Sequence, residues 1–326
     1  MKAGLFADSE RILKSNIPKQ RMDRIEPDNK IQSSSRETCP IVYPDNSAAF
    51  FTVVDSSANG YGMVSSITRP IDVSSNGNWL LVYRQYAGLS NTHGQIGAAY
   101  SINGHDWQVQ YNINPPGDGT YGPGSYPSAV ATSDYPYAFW TEHINQWLGY
   151  GDRPYYSYDE FGWDGHSWLY HIDVDPFYNV EKDLSIGSVA HGFDASSGDC
   201  NISVVYNDWS RGGSYLFTSE PVAGGHINFG KERLVVNSEY LGSDGYSTFS
   251  ALSMNDNGQG ILGLIGILDG VDMETSTCNP PASNTTCNKT PIFKLTDDWG
   301  TTWQGYSAAN YFYYIPNEVY DDILSH

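Results

Sequence analysis

The sequence predicts an all-β fold, a β-propeller of about five four-stranded antiparallel blades. Three observations lead there. Short aromatic-closed passages recur at one period: Trp107, Trp168 and Phe229 stand 61 residues apart (168 − 107 and 229 − 168), and Trp303 follows after 74 (303 − 229). An apolar β-rich run precedes each aromatic, and turn dipeptides separate the runs. Self-similarity at one period means one supersecondary unit repeated, and a unit of about four hairpin-linked strands is a propeller blade.

The elements follow in order. Asn103-Gly104 and Asp164-Gly165 precede the first two aromatics and read as hairpin turns, because both central residues need positive φ. The apolar runs are Trp79 to Tyr83, Tyr137 to Trp140, Ile202 to Tyr206 and Ile261 to Leu268, with Trp79, Phe139, Val204 and Leu262 expected on inner strands and buried. A further strand lies between run and aromatic: Gln95 to Tyr100, Tyr155 to Tyr158, Ser214 to Thr218 and Pro291 to Leu295. Another precedes the run, clearest at Tyr126 to Thr132 and Phe249 to Met254. Part-units at Ala49 to Val54 with Gly62 to Ser66, and at Tyr311 to Leu324, either pair to close the ring or mark a fragment of a larger one.

Composition supports wide blades. Aromatics make up 14% of the 326 residues and Gly numbers 33, which suits flat packing surfaces and frequent tight turns. The surplus spacing before Trp303 coincides with Cys278 to Cys287, a Pro-, Asn- and Thr-rich loop expected to be closed by a disulfide. How Cys39 and Cys200 are used stays open.

Charge divides the chain. It carries 17 basic and 37 acidic residues, yet residues 1–38 hold 8 of the former and 6 of the latter. These 38 read as a polar basic arm, with a short helix near Ser9 to Lys14, and 39–326 as the propeller. The strongly acidic body repels phosphate backbones, which excludes nucleic acid as a partner. No segment is apolar and long enough for membrane insertion. No cofactor or metal motif is present, and calcium is the one ion that the surplus carboxylates would suit. An even cysteine count and the acidic bias point to an extracellular or cell-surface protein.

Thr296-Asp297-Asp298-Trp299-Gly300-Thr301-Thr302-Trp303 resembles the Asp-box pattern Ser/Thr-x-Asp-x-Gly-x-Thr-Trp of the sialidase-like (BNR-repeat) propellers, and Ser101 to Trp107 is a shortened version. Asp164 to Trp168 keeps only its end. The resemblance implies an outer hairpin shaped by Thr296, Asp298, Gly300, Thr302 and Trp303, remote from any ligand. It further implies an activity that uses three arginines on a substrate carboxylate, with a tyrosine–glutamate pair and an acidic proton donor.

Aligning the repeats places polar groups at the end of every apolar run: Arg84, Glu142 with His143, Asp208 with Trp209, and Asp269, with Arg211 shortly after. Propeller symmetry would gather them on one face as a ligand-binding set. Rings stacking on sugar faces and carboxylates accepting hydroxyl hydrogen bonds favour a glycan or an extracellular protein as partner. The leading expectation is therefore a binding propeller without enzymatic activity. The alternatives are a glycoside hydrolase with Glu142 or Asp208 as acid/base, and a structural subunit whose basic arm docks on a neighbour's acidic body.

Overall fold

A computed structural model describes residues from 52 to 322, leaving out 1–51, 323–326 and several internal segments, of which 267–289 is the longest. The chain divides into residues 1–55 and 56–326. Of the first unit only 52–55 are described, and they form no regular element. The expected arm, its helix, the boundary at 38 and Cys39 lie outside the described residues.

The second unit is an all-β propeller. Its described residues form four four-stranded antiparallel sheets, each a meander in chain order. The first blade is β1 (Ile71–Val73), β2 (Trp79–Arg84), β3 (Ile96–Ser101) and β4 (Gln108–Gln110). The second is β5 (Gly124–Ala131), β6 (Pro136–Gln146), β7 (Gly149–Tyr158) and β8 (Ile172–Asp173). The third is β9 (Leu184–Asp194), β10 (Asp199–Asp208), β11 (Ser214–Thr218) and β12 (Arg233–Val236). The fourth is β13 (Thr248–Met254), β14 (Gly260–Gly266), β15 (Thr290–Thr296) and β16 (Tyr313–Tyr314).

Packing runs between blades. Leu80, Val82 and Ile96 of the first blade meet Ala129, Ala138 and Trp140 of the second. Phe139 and Tyr156 meet Val189, Ile202 and Phe217 of the third. Val205 and Leu216 meet Leu252, Leu262 and Ile292 of the fourth. The second and third sheets thus bury both faces against described neighbours, and burying apolar area on this scale is the dominant favourable term in such a fold. First strands also touch one another: Arg69, just before β1, donates Nη2 to Leu252 O on β13 at 3.3 Å, and Leu252 N donates to Ser188 Oγ on β9 at 3.0 Å.

The period read from the aromatics is the outer hairpin. Asp159 pairs with Trp168, Ser219 with Phe229, and Leu295 with the neighbour of Trp303, while Trp107 immediately precedes β4. In the best-formed hairpin Asp298 Oδ1 accepts from Thr302 N at 2.8 Å and Oδ2 from Thr302 Oγ1 at 2.6 Å. Gly300 N donates to Thr296 Oγ1 at 2.9 Å, with Gly300 at φ +75°. The shortened version repeats the scheme: Asn103 Oδ1 accepts from His105 N and Asp106 N, both at 2.8 Å. Carboxylate or amide oxygens thereby satisfy turn amides that neither strand can pair.

One expectation needs correction. Phe139, Val204 and Leu262 are buried as expected, but Trp79 is 38% exposed. Trp79 opens β2 at a hairpin, and its indole lies against the Gly104 turn, so only one face is covered. All four residues stand on the second strand of their blade, an inner strand as expected. The 278–287 loop, with Cys278 and Cys287, lies outside the described residues.

Candidate functional site

Three of the aligned polar ends share one end of the blades. Arg84, closing β2, donates Nε to the carbonyl of Gly124, the first residue of β5, at 3.0 Å. Gly124 pairs with Glu142 on β6, and Glu142 pairs with Arg153 on β7. Asp152, beside Arg153, donates its amide to Asp183 Oδ1 at 2.7 Å, and Asp183 donates its amide to Asp208 Oδ1 at 3.3 Å. Arg84, Glu142 and Asp208 are thus joined across three blades, and all three are buried. His143 is in β6, two residues past Thr141. Trp209 follows β10, donates its amide to Asp183 O at 2.9 Å and lays its ring 5.4 Å from Phe249. Arg211 and Asp269 lie outside the described residues.

Glu142 is the chemically distinctive member. Its carboxyl is fully enclosed; Oε1 accepts from Trp140 Nε1 at 2.8 Å, and Oε2 makes no hydrogen bond. Burial pushes its pKa from 4.5 to about 8; the Trp140 hydrogen bond and the Asn114 amide oppose this, and the charge of Asp173 adds to it. His171 Nδ1 stands 3.8 Å from Oε1, with its ring edge-on to Tyr155 at 4.9 Å. Burial lowers the His171 pKa, so the imidazole is neutral and offers no positive charge to ionise Glu142.

The remaining charges here are tied down. Arg153 and Asp175 form an ion pair at 3.0 Å with side chains 1% and 0% exposed. Asp173, two residues before Asp175, has an exposed surface, yet loss of solvent around its carboxyl and the charge of Asp175 raise its pKa against the pull of Arg153. Asp208 and Asp183 hold backbone amides, which fixes where β9 leaves its preceding connection. Among the described residues, no group of three or more His, Cys, Asp or Glu is arranged to hold a metal ion, and no helix is long and apolar enough to cross a membrane.

Sequence reading missed His171, Asp173 and Asp175. They belong to the short fourth strand of the second blade and its flanks, and they reach Glu142 only because β8 pairs with β7. The alternation Asp173-Val174-Asp175, with Val174 fully buried, was the available signal. The arginine triad implied by the sialidase resemblance does not assemble among the described residues. Arg153 is committed to Asp175, and Arg233 on the outermost strand donates to Thr301 O and Thr218 Oγ1.

No family model and no curated protein sequence matches the chain. Solved structures similar to it include an endo-arabinase from Bacteroides thetaiotaomicron, at 12% identity and TM-score 0.42 over 77% of this chain and 84% of that one. An endo-arabinanase from Bacillus licheniformis gives 11% and 0.44 over 79% and 82%. A family 117 glycoside hydrolase from Zobellia galactanivorans gives 14% and 0.42 over 78% and 72%. These similarities are at the level of fold. All three are named as glycan-degrading enzymes, against the expectation of a non-enzymatic binding propeller.

Proposed function

We propose that the protein is a glycoside hydrolase in which Glu142 is the general acid. The observation that carries this is a carboxyl group kept protonated at neutral pH by burial, at the end of the blades where charged groups of three blades meet. Glycosidic cleavage needs one carboxylic acid to protonate the leaving oxygen and a second, ionised carboxylate to act on the anomeric carbon or on a water. Trp140 occupies Oε1, so the proton resides on Oε2, the oxygen that makes no hydrogen bond. Neutral His171 leaves that proton in place. Asp173, exposed and close enough to act on the Glu142 charge, and Asp208 are the candidates for the second role.

The substrate class is a glycan outside the cell, and the Asp-box hairpins of Thr296 to Trp303 ally the blades with the sialidase-like propellers in architecture. The chemistry proposed differs from theirs, because among the described residues no arginine cluster is available for a substrate carboxylate; neutral sugars suit such a site. The test is a panel of chromogenic arabinofuranosides, xylosides and galactosides. Turnover by the wild type, abolished in Glu142→Gln with the fold intact, supports the assignment. Turnover that survives Glu142→Gln rejects it.

A further inference from the structure

A second reactive cluster lies at the other end of the first strands. We propose that Cys200, His191 and Asp72 form a thiol–imidazole–carboxylate relay that makes Cys200 a site of thiol–disulfide exchange with low-molecular-weight disulfides. Three blades assemble it. His191 on β9 points its Nε2 at Asp72 Oδ2 on β1, 2.7 Å away, and its Nδ1 at Cys200 Sγ on β10, 4.0 Å away. Asp72 is held in turn by the amide of Ala131, the last residue of β5, at 2.8 Å.

Local strand geometry fixes the sulfur. His191 pairs with Ile202, and Cys200 stands two residues from Ile202 on the same side of β10. It is therefore the diagonal cross-strand neighbour of His191, within reach of a ring. Cys200 is a free cysteine and partly exposed, as are the His191 and Asp72 side chains, at 26% each. A small reagent thus has access, whereas a fully enclosed thiol would be inert. The thiol also lies within 3.8 Å of the Asn201 carbonyl, and Tyr137 on β6 packs nearby.

The charges favour attack. Burial alone would lower the His191 pKa, but the hydrogen bonds and charges of Asp72 and Cys200 outweigh it and raise it to about 9. Asp72 is correspondingly held below its ordinary value, as its bond and attraction to His191 and the Ala131 and Val73 amides outweigh burial. The ring is an imidazolium at neutral pH, which sets a positive charge 4.0 Å from the sulfur that attacks. The step is a displacement. The Cys200 thiolate attacks one sulfur of the disulfide, the new Sγ–S bond forms, and the old S–S bond breaks. The leaving thiolate departs with the electron pair and takes the proton that Cys200 gave up, through Nδ1 of His191 or from water. The net change is one protein thiol and one disulfide converted to one mixed disulfide and one small thiol.

Hydroxyethyl disulfide is a suitable probe, since it is neutral and so insensitive to the acidic surface. The full chain is incubated with it between pH 5 and 9, and adducts are located by peptide mapping, with Cys200→Ser as the mapping control. The expected result is a single adduct on Cys200, formed faster at pH 6.5 in the wild type than in variants of its two neighbours. His191→Gln slows that rate about tenfold at pH 6.5, and Asp72→Asn about threefold, by removing the imidazolium or its support. Simple loosening of the blades would act in the opposite direction, because it exposes the sulfur and accelerates reaction. Rates as fast as wild type, or faster, in both variants overturn the relay. So does purified protein in which Cys200 is already bridged to another cysteine.

Discussion

The two ends of β5 hold two titrating groups that the same fold treats in opposite ways. Gly124 begins the strand beside Glu142, and Ala131 ends it with its amide on Asp72, about 20 Å away at the rise of an extended chain. At the first end the carboxyl is enclosed, its histidine is neutral, and it holds its proton to about pH 8. At the second end a carboxylate and an imidazole, each about a quarter exposed, ionise each other. Burial is the largest influence in both places. What differs is the geometry of the partner: His171 stands 3.8 Å from its carboxyl and does not ionise it, whereas His191 stands 2.7 Å away and does. Solvent loss without a close counter-charge yields a neutral acid, and the same loss with one yields an ion pair.

The sharpest way to break this comparison is to remove the acid. Glu142→Gln should lower turnover by about 10²- to 10⁴-fold, the usual worth of a general acid, with substrate binding little changed. Wild-type turnover should fall as pH rises through about 8, as the acid loses its proton. A steady-state pH profile of both proteins decides the matter; a wild-type profile flat through pH 8 removes Glu142 from the role.

Next in size is the support beneath the acid. Arg153→Met leaves Asp175 charged and enclosed without its partner, at a cost of about 3–5 kcal/mol. Adding Asp175→Leu should recover most of it, since two apolar groups of similar volume demand no compensation. Denaturant midpoints of the single and double variants measure this. A single variant as stable as wild type would show that the pair is not what holds β7 and β8 in register beneath Glu142.

Stability against pH separates the two ends directly. Glu142 binds its proton more tightly folded than unfolded, so its contribution is full below about 4.5 and is lost as pH rises through about 8. His191 is also raised in the fold; its contribution is full below 6.5 and is lost through about 9. Asp72 is lowered, so its share is present above 3.8 and is lost as pH falls below that value. Both ends therefore weaken in alkali, over windows displaced by one to two pH units. Thermal midpoints from pH 4 to 10 should lose the lower part of the alkaline slope in Glu142→Gln and the upper part in His191→Gln. An unchanged slope in either variant refutes the titration assigned to that end.

What was legible in the sequence was local. Strand runs, turn pairs and the Thr296 to Trp303 hairpin arise from residues within a few positions of one another, so period and turn chemistry revealed the blades. The polar strand ends Arg84, Glu142 and Asp208 were legible because repetition aligns them. The environment that gives Glu142 its chemistry was not, because His171 and Asp173 arrive through the pairing of β7 with β8. Still less legible was the relay: His191 and Asp72 are 119 residues apart and meet only where three first strands face one another. Trp79 misled for a related reason, since an apolar run says which residues pack and not which one opens the hairpin.

The smallest expected effect tests whether the ends are independent. The outer hairpins lie at the Asp72 end: Ser101, which starts the Asn103 turn, pairs with Trp79 at the β1–β2 hairpin. Asp298 accepts from Thr302 N, Thr302 Oγ1 and Thr296 Oγ1, and these bonds lower its pKa against the opposing effect of burial. Asp298→Ala leaves those donors to water on an exposed turn, so the cost should be only about 1 kcal/mol, the scale of a lost cap. Asp298→Asn keeps an acceptor and should cost less. Neither change should alter turnover or its pH profile, because Glu142 belongs to the second blade and to the opposite strand ends. A drop in turnover larger than the loss of folded protein, measured on the same samples, would mean that the rim hairpins set the geometry of the acid, and the separation drawn between the two ends would fail.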